Sequence, residues 1–343
     1  FFFKQKTAYE ISTRDWSSDV CSSDLDSSFK KAKFDISLIY LYKKNFKDGW
    51  TLYENREFNN LACLNTEIKD DFFDFDKNIL IFGEQGIGDQ ILFLALLSEI
   101  DLKKNKIAVV VDEKIQALCK FSFIGINFYS MKEKFNIATY QKHLMLGSLG
   151  YFFRREYDDF KMQTKKFLHA DEVLRNKLRS QLKEEGKYLC GIAWKSKNED
   201  FGQSKSASLE SFLPILKLPH VTFVNLQYGD TKEDIAAIRK AHGIDIKTIE
   251  EIDNFNDINE LASLIDACDF VVTTSNVTVH LAGGLGKETY LMVPYAHGRI
   301  WYWHDGDIQS IWYPSVNIYR QSNFDNWSQP IDEISQRSEE HTS

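Results

Sequence analysis

Cysteine is sparse in this chain, and nothing about its spacing is organised. Cys21, Cys63, Cys119, Cys190 and Cys268 are the only five in 343 residues, and no Cys-x-x-Cys pair occurs. That excludes a zinc ribbon and argues against a disulfide framework. Outside the first 25 residues the cysteines lie in apolar stretches and are expected as reduced, buried thiols, which fits a cytoplasmic setting. Basic charge is not in excess either. A formal net charge of −8 leaves no basic face for nonspecific nucleic-acid binding, so no nucleic-acid partner is expected. No apolar run approaches the ~18 residues that would span a membrane, so no transmembrane segment is expected. No Gly-Lys-Ser/Thr follows a glycine loop, which excludes a Walker A site. No Ser-His-Asp or Cys-His constellation can be assigned from spacing. The 43% hydrophobic content is ample for cores and places the chain among soluble globular proteins about two domains long.

The most informative segment is Gly83-Glu84-Gln85-Gly86-Ile87-Gly88-Asp89. An apolar run, Asn78–Phe82, precedes it and an apolar helical run, Gln90–Leu97, follows. Strand, glycine turn and helix start open a mononucleotide-binding α/β unit. The glycines, Gly83, Gly86 and Gly88, let backbone approach a ligand closely. The helix start offers N–H groups and a positive dipole end. An acid at Asp89 repels bare phosphate and is better suited to chemistry. A second junction lies downstream: Asp269–Thr274 reads as a buried strand, and Ser275-Asn276 caps a helix over Val277–Leu285. Two such units suggest two lobes with polar sites facing a shared cleft.

Between these junctions the pattern alternates. Lys106–Val111, Ile126–Tyr129, Tyr188–Trp194, Val221–Gln227 and Glu288–Val293 read as strands. Lys30–Tyr42, Glu113–Lys120, Gln141–Phe153, Asp171–Glu185 and Asp257–Ala267 read as helices. Alternation of this kind implies parallel sheets.

The strings GEQGIGD, GIAW, HLAGGLG and WYPS, in that order, resemble the glycosyltransferase-like domain that follows tetratricopeptide repeats in bacterial proteins. That domain is similar to the ADP-heptose:lipopolysaccharide heptosyltransferases of glycosyltransferase family 9. The resemblance covers roughly Asp48 to Ile334. It implies an α/β fold with a GT-B-like pair of Rossmann-type lobes, preceded by a short α-helical repeat remnant. Phe1–Leu25 and Arg337–Ser343 resemble translated sequencing-adapter read-through and are expected to be foreign to the fold. The expected organisation is therefore 26–56 repeat remnant and junction, 57–186 acceptor lobe, 187–336 donor lobe, with 1–25 and 337–343 set aside.

The resemblance implies an inverting, metal-independent transfer from a nucleotide sugar to a protein or glycan acceptor, with no cofactor. Gly88-Asp89 matches the family's Gly-Asp, whose acid is the candidate base. Glu84 is a second acid in the same turn, and an N-cap role competes for Asp89. Lys195 and Lys205, with Lys197 between them, fall where the family places a basic residue on the donor phosphates. Ser275, Asn276 and Thr278 offer short polar groups there, Gln227 and Tyr228 end a strand near the base or ribose, and His280 matches the family's His. The family's Asp-Thr-Gly is replaced here by Ser275-Asn276-Val277, which bears on donor identity and activity. Arg299, Trp301 and Trp303 form an aromatic rim able to stack on a sugar or base, although lobe packing explains rings equally well. Three other readings stand beside these. Gly86-Ile87-Gly88 with Asp112 resembles a dinucleotide fingerprint, but Ile91 fills the position of the third small residue. The DxD strings Asp74-Phe75-Asp76 and Asp305-Gly306-Asp307 resemble metal-holding motifs, but neither follows a nucleotide-binding strand. A catalytically degenerate sugar-nucleotide-binding or scaffold module is the alternative from another class.

Overall fold

A computed structural model of the chain describes residues 29–56, 68–73, 77–196 and 202–342. Phe1–Leu25, Cys63, Asp74-Phe75-Asp76 and Lys197 lie outside the described residues. The chain divides into two compact units, one running to Phe167 and including Ile300–Gly306, the other Leu168–Arg299 with the residues from Asp307 onward.

In the first unit, strands β1 (Asn78–Phe82), β2 (Lys106–Val111), β3 (Asn127–Ser130) and β4 (Lys142–Met145) form an all-parallel sheet in the order β3-β2-β1-β4. Ile79, Leu80, Ile81 and Phe82 are all buried, as a parallel strand covered on both faces requires. The helix after β1 spans Ile87–Leu94 and tightens into a 3-10 turn over Ala95–Glu99, so it starts three residues before the apolar run expected from Gln90. The helix expected over Gln141–Phe153 is instead strand β4, a 3-10 turn and a short helix, Leu149–Phe153. Its Leu144 and Met145 pair with Ile81 and Phe82 of β1, and that ladder overrides local helical preference.

Two helices precede this sheet. Lys30–Tyr42 matches the expectation, and a second helix, Phe46–Tyr53, follows after a turn with Lys44 at φ 63°. They are built into the first unit. Trp50 and Tyr53 are fully buried, and the Trp50 indole donates to the Arg154 carbonyl at 2.7 Å. A Cβ on Gly150 would come within 2.5 Å of the Trp50 ring, so the missing side chain is what admits the indole. Residues 300–306 belong here as well: Trp301 packs edge-on to Trp50 at 5.5 Å and stacks on Phe93 at 6.4 Å, and His304 meets Phe46.

The second unit holds six parallel strands, β5 (Tyr188–Ala193), β6 (Val221–Asn225), β7 (Ile246–Lys247), β8 (Phe270–Thr274), β9 (Glu288–Val293) and β10 (Val316–Arg320), in the order β10-β9-β8-β5-β6-β7. Counted within the unit this is 3-2-1-4-5-6, the Rossmann order, whose topological switch lies between β5 and β8. The helix Glu172–Leu182 belongs to this unit, which moves the boundary to residues 167/168 from the expected Gly186. The reason is local bonding. Leu168 N–H donates to the Gly284 carbonyl, while Arg179 reaches the Ala267 carbonyl at 2.6 Å and the Asp269 carboxylate at 2.7 Å. The final helix, Ser328–Thr342, buries Ile331, Ile334 and Ser338 along one face. It continues through Arg337, where the sequence reading had set the chain aside.

Candidate active site

Ligands of open parallel sheets bind beyond the carboxyl ends of the strands at the switch point. In the second unit those ends are Trp194 and Lys195 after β5 and Ser275 and Asn276 after β8. Asn276 caps the helix Val277–Gly284: its carbonyl oxygen accepts from Thr278 N–H at 2.9 Å and its amide donates to the Lys195 carbonyl at 3.3 Å. One residue therefore closes the helix end and ties the two switch strands together. Ser275 is buried at the start of this turn. The Thr278 hydroxyl is fully buried and finds no hydrogen-bond partner among the described residues.

Lys205 is also buried, at 5% exposure, and its stem lies where a Cβ on Gly298 would intrude at 2.7 Å. Its charge acts on His280, which lies one helical turn beyond Asn276. The His280 ring is buried and shares a hydrogen bond with the Tyr313 hydroxyl at 2.9 Å. Burial first, and the Lys205 charge second, pull its pKa down to about 3. It is a neutral, satisfied core histidine, the competing reading to a ligand-binding one. Gly283 completes that packing, since a Cβ there would strike the Tyr313 ring at 2.5 Å. The HLAGG and WYPS strings are thus brought together by one histidine–tyrosine contact.

Two expected donor-site residues are already engaged. The Gln227 side-chain oxygen accepts from the backbone N–H groups of Trp194 and Lys195 at 2.9 and 2.7 Å, so Gln227 shapes the end of β5 and is buried. Lys195 is half-exposed and ion-paired with Asp234. Tyr228 is partly exposed, its ring 6.2 Å from that of Phe255.

In the first unit the switch lies between β1 and β4. Gly83 donates to the Val110 carbonyl at 2.6 Å, and a Cβ on it would meet that oxygen and the Gln90 side chain at 2.8 Å. Gly86 is the N-cap residue of the helix Ile87–Leu94, Gly88 lies in its first turn, and Asp89 occupies the third helical position. The half-buried Asp89 accepts from Gly86 N–H at 3.3 Å, half of a capping box. Gln85 between them holds φ 59°, a left-handed conformation rare outside glycine, and donates to the Tyr53 hydroxyl at 2.6 Å.

Glu84 is not poised as a base. Arg56 grips it with two bonds of 2.7 Å, from Nε to Oε2 and from Nη2 to Oε1, and Gly147 N–H donates to Oε1 at 2.8 Å. Arg56 Nη2 also donates to Ser148 Oγ at 2.8 Å, and Arg56 Nη1 pairs with Glu54 at 3.0 Å. Both Glu84 oxygens thus face cationic or N–H donors, the arrangement of a buried ion pair. Burial opposes the Arg56 charge, and the Glu54 and Glu84 carboxylates outweigh it and hold the guanidinium firmly protonated. Sequence reading missed Arg56 as a site residue. It stands 28 residues from its partner, and no periodicity connects the two.

The aromatic rim is corrected. Trp301 and Trp303 are buried inside the first unit against Trp50, Tyr53, Phe93 and Tyr302 and offer no stacking face to a ligand. Arg299 lies in the second unit, partly exposed, 5.6 Å from the Tyr295 ring centre. Asp112, the would-be ribose acid, spends its carboxylate capping the helix Glu113–Ser122 through Lys114 N–H at 2.9 Å, and its own N–H donates to Gln90. Asp305-Gly306-Asp307 is a turn with Gly306 at φ 79°. Among the described residues no group of three or more His, Cys, Asp or Glu is arranged to hold a metal, and no helix is long and apolar enough to cross a membrane. Cys119, Cys190 and Cys268 are buried free thiols.

No family model matches the chain. Protein FlbA of Caulobacter vibrioides is 26% identical over 269 residues, which is 73% of this chain and 44% of that protein. The chain thus spans under half the length of that relative. Among solved structures, a glycosyl transferase family 9 protein from Veillonella parvula matches 80% of this chain and 99% of its own, with a TM-score of 0.54 at 11% identity. The E. coli ADP-heptose LPS heptosyltransferase II matches 77% of this chain and 96% of its own, with a TM-score of 0.51 at 13% identity. The fold is therefore the GT-B-like pairing of two Rossmann-type α/β units that these proteins share.

Proposed function

We propose that the chain is a glycosyltransferase that moves a sugar from a nucleotide-sugar donor to a protein or glycan acceptor, with inversion. The second unit takes the donor and the first unit the acceptor. Asp89 accepts the proton of the acceptor hydroxyl. The freed oxygen pair forms a bond to the anomeric carbon, the bond from that carbon to the diphosphate oxygen breaks, and the nucleoside diphosphate leaves. The first turn of a helix keeps a carboxylate ionised and so able to act as a base. Lys205, Ser275 and Thr278 face the leaving diphosphate, whose growing charge an ammonium and hydroxyl donors stabilise.

The observation that carries this reading is the Thr278 hydroxyl, buried without a partner beyond the β5–β8 switch of a Rossmann-order sheet. A buried polar group left unmatched costs about 1–3 kcal/mol, and a ligand oxygen at this place would remove that cost. The test is a calorimetric titration of nucleoside diphosphates against the wild type and Thr278→Val, with a panel of nucleotide sugars followed for transfer. Affinity is expected to fall at least tenfold in Thr278→Val. Equal affinity in both proteins would move the donor elsewhere.

A second reading, a sugar-nucleotide-binding or scaffold module of a tetratricopeptide-repeat protein without transfer activity, is favoured by Asn276. Its side chain already takes the Thr278 N–H that a diphosphate would otherwise use at the helix start. Tight diphosphate binding with no transfer from any donor would select it.

A further inference from the structure

We propose that Arg56 is a positioning residue that holds the Asp89 turn in place from outside the sheet. The inference rests on the reading of Asp89 as the base. Arg56 follows the second of the two leading helices and precedes the first strand of the sheet. Its side chain nonetheless reaches the carboxyl ends of both switch strands: Glu84 after β1 directly, and Ser148 after β4 through Nη2. Glu84 extends the link to the Gly147 N–H. Gly147 has to lack a side chain for this, because a Cβ there would lie 2.7 Å from Glu84 Oε1. The same leading segment supplies Tyr53, whose hydroxyl receives the Gln85 amide. Gln85 is the left-handed residue, and it sits between the clamped Glu84 and the N-cap Gly86.

The turn therefore carries backbone strain at Gln85, with that residue bonded to Tyr53 and the preceding Glu84 clamped by Arg56, both from a distant segment. Strain of this kind persists only where surroundings over-determine the conformation. The direction in which Asp89 leaves the helix start follows from that conformation. These bonds of Arg56 go to Glu84, Glu54, Ser148 and the Tyr53 carbonyl, and the effect on Asp89 is the one they exert through the turn. Lysine keeps the charge and loses the planar two-bond grip, which makes Arg56→Lys the sharp variant. Arg56→Met/Glu84→Met removes both of the most deeply buried charges together, while Glu54, the other partner of Arg56, keeps partial exposure and its bond from Ser148 Oγ.

The experiment compares wild type, Arg56→Lys, Asp89→Asn and Arg56→Lys/Asp89→Asn by transfer kinetics and by amide hydrogen exchange. Arg56→Lys is expected to lower kcat about tenfold with donor KM within twofold. It should speed exchange several-fold across Gly83–Leu94 while Lys106–Val111 of β2 stays unchanged. In the Asp89→Asn background the same substitution should change kcat less than twofold, because a positioning effect vanishes when the positioned base is gone. A tenfold loss in both backgrounds, or exchange unchanged across Gly83–Leu94, overturns the proposal. If wild type transfers sugar from no donor, the glycosyltransferase reading falls and the exchange comparison alone decides the role of Arg56. If Arg56→Lys does not fold, Arg56→Met/Glu84→Met carries the same exchange comparison with the same deciding outcomes.

Discussion

Thr278 and His280 lie two residues apart on one helix, and burial makes opposite demands of them. The Thr278 hydroxyl is buried without a partner, so Thr278→Val, nearly the same shape, is expected to leave the melting temperature unchanged or raise it while diphosphate affinity falls. Differential scanning fluorimetry beside calorimetry reads both. His280 is buried with its partner, Tyr313. Its pKa of about 3 lies below the roughly 6.5 of an unfolded chain. Between those values the unfolded state binds a proton that the folded state refuses. The stability due to neutral His280 is whole above about pH 6.5 and is lost as pH falls toward 3. From pH 7.5 to 5 the loss is roughly 2 kcal/mol. His280→Asn should flatten that part of the urea-midpoint profile, and a slope equal to wild type would show that another group titrates. Asp89→Asn keeps a capping side chain and removes the basicity. Transfer is expected to fall ~10²–10⁴-fold with diphosphate affinity within a few-fold. Wild-type transfer rates would reduce Asp89 to a cap.

At the scale of elements, small residues decide where segments meet. Gly150 opens the helix Leu149–Phe153 to the Trp50 indole, and Gly283 opens the helix Val277–Gly284 to the Tyr313 ring; a Cβ at either position would lie only 2.5 Å from a ring atom. Both neighbours are rigid buried rings. Gly150→Ala is therefore expected to destabilise by about 1–3 kcal/mol, the usual cost of overpacking, as read from urea unfolding. A neutral result would show that the indole can shift. The same packing explains why the segment Gln141–Phe153 misleads when read alone. His143, Leu144 and Met145 register against Leu80, Ile81 and Phe82, a ladder invisible from local composition.

At the scale of the whole chain, the leading helices are part of the first unit's core. Trp50, Tyr53 and Leu41 are fully buried, and Arg56 pairs with Glu84. Losing one buried aromatic costs about 3–5 kcal/mol, and leaving Glu84 unpaired costs a similar amount. A protein beginning at residue 57 is therefore expected not to fold its first unit, which near-ultraviolet circular dichroism would show as lost aromatic signal. The far end behaves differently. Ile331 and Ile334 anchor the final helix before Arg337, and Ser338 is the one buried residue among 337–340. Removing 337–343 should cost under about 1 kcal/mol, the range of changes away from buried apolar anchors. A large drop in melting temperature would show that the last turns hold the helix in place.

Seven of the ten described strands, several helix caps and both strand–turn–helix junctions were legible from the sequence alone, because each rests on neighbours in the chain, whereas β4, β7 and β10 were not. β2 and β9 fall where the apolar runs do, and Asp171, Asp257 and Asn276 cap the helices they were expected to start. Periodicity and capping act within a turn or two, so a sequence carries them directly. Which polar groups are taken and which are left over was decided only by the tertiary structure. Glu84 looked like a second acid beside Asp89 until Arg56 arrived from 28 residues away. Gln227 looked like a ligand-facing residue until the ends of β5 and β6 met. Trp301 and Trp303 looked like a rim until their segment joined the first unit. Hydrogen-bond satisfaction depends on partners brought together by the fold, and a buried group's chemistry is set by those partners rather than by its neighbours in sequence.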